Sequence, residues 1–249
     1  MNRKTGVLLG RLMRTIMRSP DTIITVAITP IMMMLLFVYV FGGAIETGTE
    51  NYVNYLLPGI LLITIASGVA YTSLRLFTDV QSGLMARFFT MPIKRSSILW
   101  AHVLTSLVSN ALTVLVVILV ALLMGFRSNA TIIEWLIVVG ILGLFTLALT
   151  WLAVIPGLTA NTMEGATAFS YPLIFLPFIS SAFVPTESMP KIIRIFAENQ
   201  PVTSLVNAIR TLLYDGTISN GIWIALAWCV GIMAIAYFIA GKVFKHKLI

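Results

Sequence analysis

Residues 79–124 read DVQSGLMARFFTMPIKRSSILWAHVLTSLVSNALTVLVVILVALLM, and this stretch decides the fold. Its first part is polar and basic, with Arg87, Lys94 and Arg95 set beside Phe88, Phe89, Met91 and Ile93. From Ile98 to Met124 there is no Lys, Arg, Asp or Glu. An uncharged apolar run of about 20 residues crosses a bilayer core as a helix. Clustered Lys and Arg mark the cytoplasmic side of such a crossing. The stretch therefore reads as a basic inner segment (residues 79–97) feeding a tilted membrane span (98–124).

Working outward, the same alternation recurs along the chain. Apolar runs predict further spans at 22–41, 55–76, 134–155, 167–184 and 222–241, giving six in a single transmembrane domain over residues 1–249. Pro156-Gly157 is expected to end the fourth span, with a turn from Thr159 to Ala166. The fifth is short and carries Pro172 and Pro177, which remove backbone hydrogen bonds and kink a helix. Residues 185–221 are too polar for a plain span and predict short outer helices before the last one. Within them, Lys191, Arg194 and Glu198 oppose Ile192, Ile193 and Phe196. Thr203 or Ser204 is expected to cap a second short helix ending near Tyr214, with Gly216 as its stop.

At the other end, residues 3–18 form an amphipathic pattern. Leu8, Leu9, Leu12, Met13, Ile16 and Met17 share one face, and Lys4, Arg11, Arg14 and Arg18 the other. A basic amphipathic helix of this kind lies on an anionic cytoplasmic leaflet. Pro20 breaks it, and Asp21 or Thr22 is expected to cap the first span. The extended basic leader and long first run do not fit a cleaved signal peptide.

Charge tests this layout. Twelve of the 16 Lys and Arg fall in segments assigned to the inside, and only Arg127, Lys191, Arg194 and Arg210 fall outside. Of the nine acids, only Asp21, Asp79 and Glu164 are inside. Both termini are thus expected in the cytoplasm of a multi-pass plasma- or inner-membrane protein. Composition agrees: 59% of residues are hydrophobic and 10% charged, with a mean hydropathy of +0.99. The net charge of +7 follows from topology and does not imply nucleic acid. Cys229 is the only cysteine and reads as a packing residue, so no intrachain disulfide can form. The halves show no internal repeat.

The chemistry is sparse. There is no G-x-x-x-x-G-K-[ST] phosphate loop and no H-E-x-x-H zinc motif. His102 and His246 form no obvious metal pair, and His102 reads as a hydrogen-bonding partner for a neighbouring helix. No nucleophile–base cluster appears, and no ionisable residue sits at mid-membrane depth, where ion-coupled transporters place them. The chain reads as a non-enzyme with no cofactor of its own. A transporter lacking both devices needs an external motor.

The inner segment and a second stretch, FVPTESMPKIIRIFAENQPVTSLVNAIRTLLYDG at 183–216, then resemble a family: the membrane subunits of type-2 ABC exporters, especially the daunorubicin-resistance-like drug-export permeases. Gly83, Arg87, Met91-Pro92 and Arg95 carry the inner motif. Phe183, Pro185, Met189-Pro190, Gln200-Pro201, Arg210 and Gly216 carry the outer one, with Asp215 as a harmless departure. The resemblance implies a half-transporter pairing with a second copy or close homologue. Each chain would bind a cytoplasmic ATPase subunit that holds ATP and magnesium. Gly83, Arg87, Phe88, Met91, Pro92 and Arg95 would form the coupling segment, aided by Arg11 and Arg14 of the leader. The outer helices would dip into the membrane and close the exit, with Pro185, Met189, Pro190, Pro201 and Arg210 as the gate.

For the cargo, Met33 and Phe37 in the first span and Tyr171, Phe175 and Phe178 in the fifth suit a large amphiphile, because thioethers adapt and aromatic rings offer flat contact. Packing against lipid or neighbouring helices would also explain them. Two other functions stay open on sequence: export of a lipid or lipid-linked glycan, and a membrane scaffold or sensor partnered with an ATPase.

Overall fold

The computed structural model describes residues 20–42, 52–85, 95–214, 216 and 221–247, and among these there is helix but no strand. Nine α-helices follow in order among the described residues. They are α1 Pro20–Leu36, α2 Tyr52–Gln81, α3 Arg95–Leu123, α4 Ile132–Thr159, α5 Met163–Thr167, α6 Ser170–Phe175, α7 Lys191–Asn199, α8 Pro201–Tyr214 and α9 Gly221–Lys247. α1 continues as a π-helical turn, Phe37–Phe41, and α6 as a 3-10 turn, Leu176–Ile179. Among the described residues, five stretches are long and apolar enough to cross a membrane: Ile24–Phe41, Tyr52–Gln81, Ser97–Leu123, Ile132–Thr159 and Gly221–His246. The chain is a multi-pass membrane protein.

α2 is the axis of the bundle. Its apolar residues run all round, which suits a helix surrounded by protein, and 78% of its apolar window is buried against 22–39% for the other four. α1, α3, α4, α5, α6 and α8 all pack on it, and α9 packs on α4 and α8. Around its N-terminal half, Leu56, Leu57, Ile60 and Leu61 meet Val206, Ile209 and Leu213 of α8 and Phe145 and Leu149 of α4. Toward its C-terminal end, Leu76 joins Ile98, Leu99 and Val103 of α3, Trp151 and Val154 of α4, and Phe244 of α9. With lipid as apolar as the side chains, such packing depends on contact and close approach more than on water exclusion.

Several boundaries differ from the sequence reading. α1 already includes Pro20 and Asp21, ahead of the expected start at Thr22. α8 likewise begins at Pro201 and not after a Thr203 or Ser204 cap. α4 does not stop at Pro156-Gly157. Pro156 sits inside the helix, which runs on to Thr159 and closes with the Ala160 N–H on the Pro156 carbonyl at 2.9 Å. One absent donor near a helix end is a small loss, and Gly157 lets α4 press against the Ser73 carbonyl and Leu76 of α2. The start of α4 was unread: Thr131 and Glu134 form a reciprocal capping box. The basic tail continues α9 through Lys247.

The expected fifth span is not one helix. α5, capped by the Thr162 side chain, leads into α6 and its 3-10 turn, after which the backbone is extended at Ser180 and turns through Val184. Pro172 and Pro177 cannot donate, and the chain changes helix type at the second of them. The expected interfacial helix at 3–18 lies outside the described residues.

Candidate functional site

The irregular stretch after α6 leaves backbone groups without helical partners, and in a membrane protein each must be satisfied internally. Arg210 of α8 does most of this. Its guanidinium donates to the Ser181 carbonyl at 2.8 Å, to the Tyr55 carbonyl at 3.0 Å and to Asn207 Oδ1 at 3.2 Å. It also lies over the Tyr55 ring, 3.7 Å from the centroid. Around it, the Ser181 hydroxyl donates to Asn207 Oδ1 at 2.8 Å, the Tyr52 hydroxyl to the Phe183 carbonyl at 2.9 Å, and Gln200 Nε2 to the Ile179 carbonyl. Gly59 allows Ala182 to sit directly on α2, where a Cβ would collide with the Ala182 methyl. The start of α2, the broken segment and α8 are thus clamped together.

The other residues of the predicted gate shape the chain beside this clamp. Pro185 accepts the Ser188 N–H at 3.2 Å and its hydroxyl at 2.8 Å, closing a 3-10 turn. The Met189 N–H bonds the Thr186 carbonyl, and Pro190 caps α7, accepting from the Arg194 N–H at 2.9 Å. Pro201 starts α8. On α7, Arg194 pairs with Glu198 at 2.7 Å, and that hydrogen bond raises the guanidinium pKa from its ordinary value. Ile192, Ile193, Ile195 and Phe196 of α7 are exposed.

Beside the clamp, Phe37, Phe175 and Phe178 gather around Phe183. The π turn brings Phe37 to 4.8 Å from Phe183 and 6.3 Å from Phe178, measured between ring centroids. Phe178 and Phe183 stack at 4.7 Å, and Phe175 lies 6.1 Å from Phe178. Single π turns inside helices are frequent at functional sites. Met33 is partly buried against the core around the N-terminal half of α2. Phe175 and Tyr171 stay exposed, at 63% and 60%.

Tyr171 lines a groove of about 290 Å³ between α2 and the α5–α6 segment. Ser67, Ala70, Tyr71 and Leu74 form one wall, and Thr167, Ser170, Tyr171 and Ile174 the other. Ser170 and Thr167 spend their hydroxyls on backbone carbonyls. The hydroxyls of Ser67, Tyr71 and Tyr171 have no partner among the described residues. The groove is therefore apolar, with a few hydroxyl donors unpartnered among the described residues.

Two polar features inside the bundle extend the sequence reading. His102 Nε2 lies 3.3 Å from Asp79 Oδ2, with the imidazole 4% and the carboxylate 18% exposed, so the expected partner helix is α2. Further in, Thr72 donates to Ser106 at 2.9 Å, Ser106 shares a 3.0 Å bond with Thr150, and Asn110 Nδ2 bonds the Ser106 carbonyl at 2.9 Å. This network joins α2, α3 and α4 and went unread. The Ser106–Asn110 and Thr146–Thr150 spacings of four were the available signal.

Of the predicted coupling residues, Gly83 holds φ +69° two residues beyond α2, a left-handed conformation that favours glycine. Arg95 lies within α3. Arg11, Arg14, Arg87, Phe88, Met91 and Pro92 lie outside the described residues.

Comparison with known proteins decides the family. The sequence pattern of the ABC-2 type transporter family matches residues 3–214. This chain belongs to that family. Among its relatives is the daunorubicin resistance ABC transporter permease protein DrrB1 of Streptomyces coeruleorubidus, 27% identical over 246 residues, covering 96% of this chain and 85% of the relative. Another is a probable doxorubicin resistance ABC transporter permease protein DrrC of Mycobacterium tuberculosis, 26% identical over 230 residues, with 91% and 82% covered. A putative transport permease, ycf38 of Porphyra purpurea, is 28% identical over 219 residues, with 84% and 73% covered. The ABC-2 match spans the clamp, the groove and the aromatic cluster alike.

Proposed function

We propose that this ABC-2 chain is the membrane subunit of an ATP-driven exporter and forms half of the path for an amphiphilic drug. The observation that carries this reading is the groove between α2 and α6, apolar but edged by the hydroxyls of Ser67, Tyr71 and Tyr171. Flat aromatic side chains at Phe37, Phe175 and Phe178 continue it toward the Arg210 clamp. The relatives named for daunorubicin and doxorubicin resistance support the same class of cargo.

About 290 Å³ is at the low end of the range for a drug-sized ligand. Two facing grooves would hold such a molecule, so a second permease copy, identical or closely related, completes the path. Met163–Ile179 and the turns after it would make the sixth crossing, held open by its prolines, with both termini cytoplasmic. ABC-2 permeases work with a cytoplasmic ATPase subunit, which supplies the ATP and magnesium site. Residues 79–97 and the basic leader with Arg11 and Arg14 would dock it. Gly83, Arg87, Phe88, Met91, Pro92 and Arg95 would pass its movement to α2 and α3. Bound lipid would cover the exposed apolar faces. The Arg210 clamp with Pro185, Met189, Pro190 and Pro201 would be the outer closure.

The test is purification of the tagged chain from its native membranes followed by intact-complex mass. Two copies of this chain with two copies of an ATPase are expected. A chain that leaves the membrane alone, or with a histidine kinase, overturns the reading.

A further inference from the structure

Arg75 lies on α2 one helical turn beyond Tyr71 and two beyond Ser67, about 6 and 12 Å along the axis. It is half-buried, and among the described residues no hydrogen bond or ion pair reaches its guanidinium. Its nitrogens are not sealed inside the bundle. Asp79, the acid one turn further along the same helix, is committed to His102 at 3.3 Å. Near the end of a membrane helix, a partly buried arginine without a protein partner reaches for the interface, where anionic headgroups are met. Tyr71 is at once a wall of the groove and the neighbour of Arg75, so cation and groove adjoin.

We propose that Arg75 is the headgroup residue of a site for an anionic amphiphile, a phosphate or carboxylate on an apolar tail, with the tail lying in the groove between α2 and α6. This inference rests on the groove being the transport path. A guanidinium presents paired donors that match two oxygens of one phosphate or carboxylate. The Tyr71 and Ser67 hydroxyls continue the polar edge inward from Arg75, and Ala70, Leu74 and Ile174 receive the tail. The anion has two possible sources with the same chemistry, a membrane phospholipid and an acid-bearing cargo.

The experiment uses the full chain in phosphatidylcholine nanodiscs, with bound molecules counted by native mass spectrometry. The probes are phosphatidylglycerol, dodecyl phosphate and, as an uncharged counterpart, dodecanol. Retention of an anionic probe is expected to fall about tenfold in Arg75→Gln, the scale of one lost charge-assisted contact, and to survive in Arg75→Lys. Dodecanol retention stays unchanged in both. Dodecyl phosphate that displaces phosphatidylglycerol assigns the site to cargo. Phosphatidylglycerol that resists displacement but depends on Arg75 assigns it to lipid. Equal retention of both anions by the unaltered chain and Arg75→Gln overturns the proposal. Should Arg75→Gln not insert, a salt titration of the unaltered chain decides: dodecyl phosphate retention must weaken with salt while dodecanol retention does not, and an absent salt effect overturns the proposal. Dodecanol binding lost in Tyr171→Ala but kept in Arg75→Gln shows that the groove reading stands apart from the anion site.

Discussion

Arg210 lies over Tyr55 with its guanidinium carbon 3.7 Å from the ring centroid, and the same guanidinium donates to the Tyr55 carbonyl at 3.0 Å. One residue of α8 thereby holds both the side chain and the backbone of the first turn of α2, while its bond to Ser181 holds the broken segment between them. A cation over an aromatic face gains when water is excluded, and a carbonyl left bare in that setting is expensive.

Arg210→Ala is therefore expected to cost roughly 2–3 kcal/mol of stability, the scale of lost hydrogen bonds to a charged group. Arg210→Lys is expected to recover little, because a single ammonium cannot fork between two carbonyls and cover the ring. Thermal unfolding of the detergent-solubilised protein measures both, and a lysine variant as stable as the parent would contradict the clamp.

At the opposite end of α2, His102→Leu leaves the Asp79 carboxylate beside an apolar neighbour. A loss of about 1–3 kcal/mol is expected, with His102→Gln falling between parent and leucine because it keeps a donor. The ordering of the three unfolding temperatures is the check.

In the middle of the bundle, Asn110 Oδ1 is buried, has no hydrogen-bond partner among the described residues and sits where a Cβ on Gly68 would have to go. Removing an unsatisfied acceptor is cheap, whereas adding a methyl against it is not. Asn110→Ala is expected to cost less than Gly68→Ala, even though Gly→Ala inside a helix ordinarily stabilises by about 0.5–1 kcal/mol. The reverse order in a thermal scan would mean that α2 and α3 approach differently.

In the groove, Tyr171 is exposed while Phe183 is 2% exposed. Tyr171→Ala is expected to lower drug export with unchanged membrane abundance. Phe183→Ala is expected to lower abundance first, by removing about 3–5 kcal/mol of packing. Efflux normalised to immunoblotted protein separates the two effects.

The membrane spans were legible because a bilayer imposes one strong rule: charge must leave the apolar run. That rule found α2, α3, α4 and α9 within a few residues, and it overreached only where a second rule competed. Pro156 looked like a helix end, yet α4 absorbs it because the cost of one missing donor is met near a terminus. Proline gave the right warning at Pro172 and Pro177, where the expected span divides into α6 and a 3-10 turn. Arg210 could be singled out as an outer-motif residue, and the aromatic residues as a group. Their partners could not, since Tyr55 and Ser181 are far from Arg210 in sequence and carry no local signature of a cation site. The Thr72–Ser106–Thr150 network was hidden for a related reason: hydroxyls and amides scattered through apolar runs look incidental until helix rotation brings them face to face.

The central claim is that this chain moves an amphiphile at the expense of ATP hydrolysed by a partner. The most direct measurement is uptake of doxorubicin into inside-out membrane vesicles containing this chain and its co-purifying ATPase. The account predicts uptake that requires ATP and falls with Tyr171→Ala at unchanged protein abundance. Uptake that is the same without ATP, or the same in vesicles lacking this chain, would contradict it.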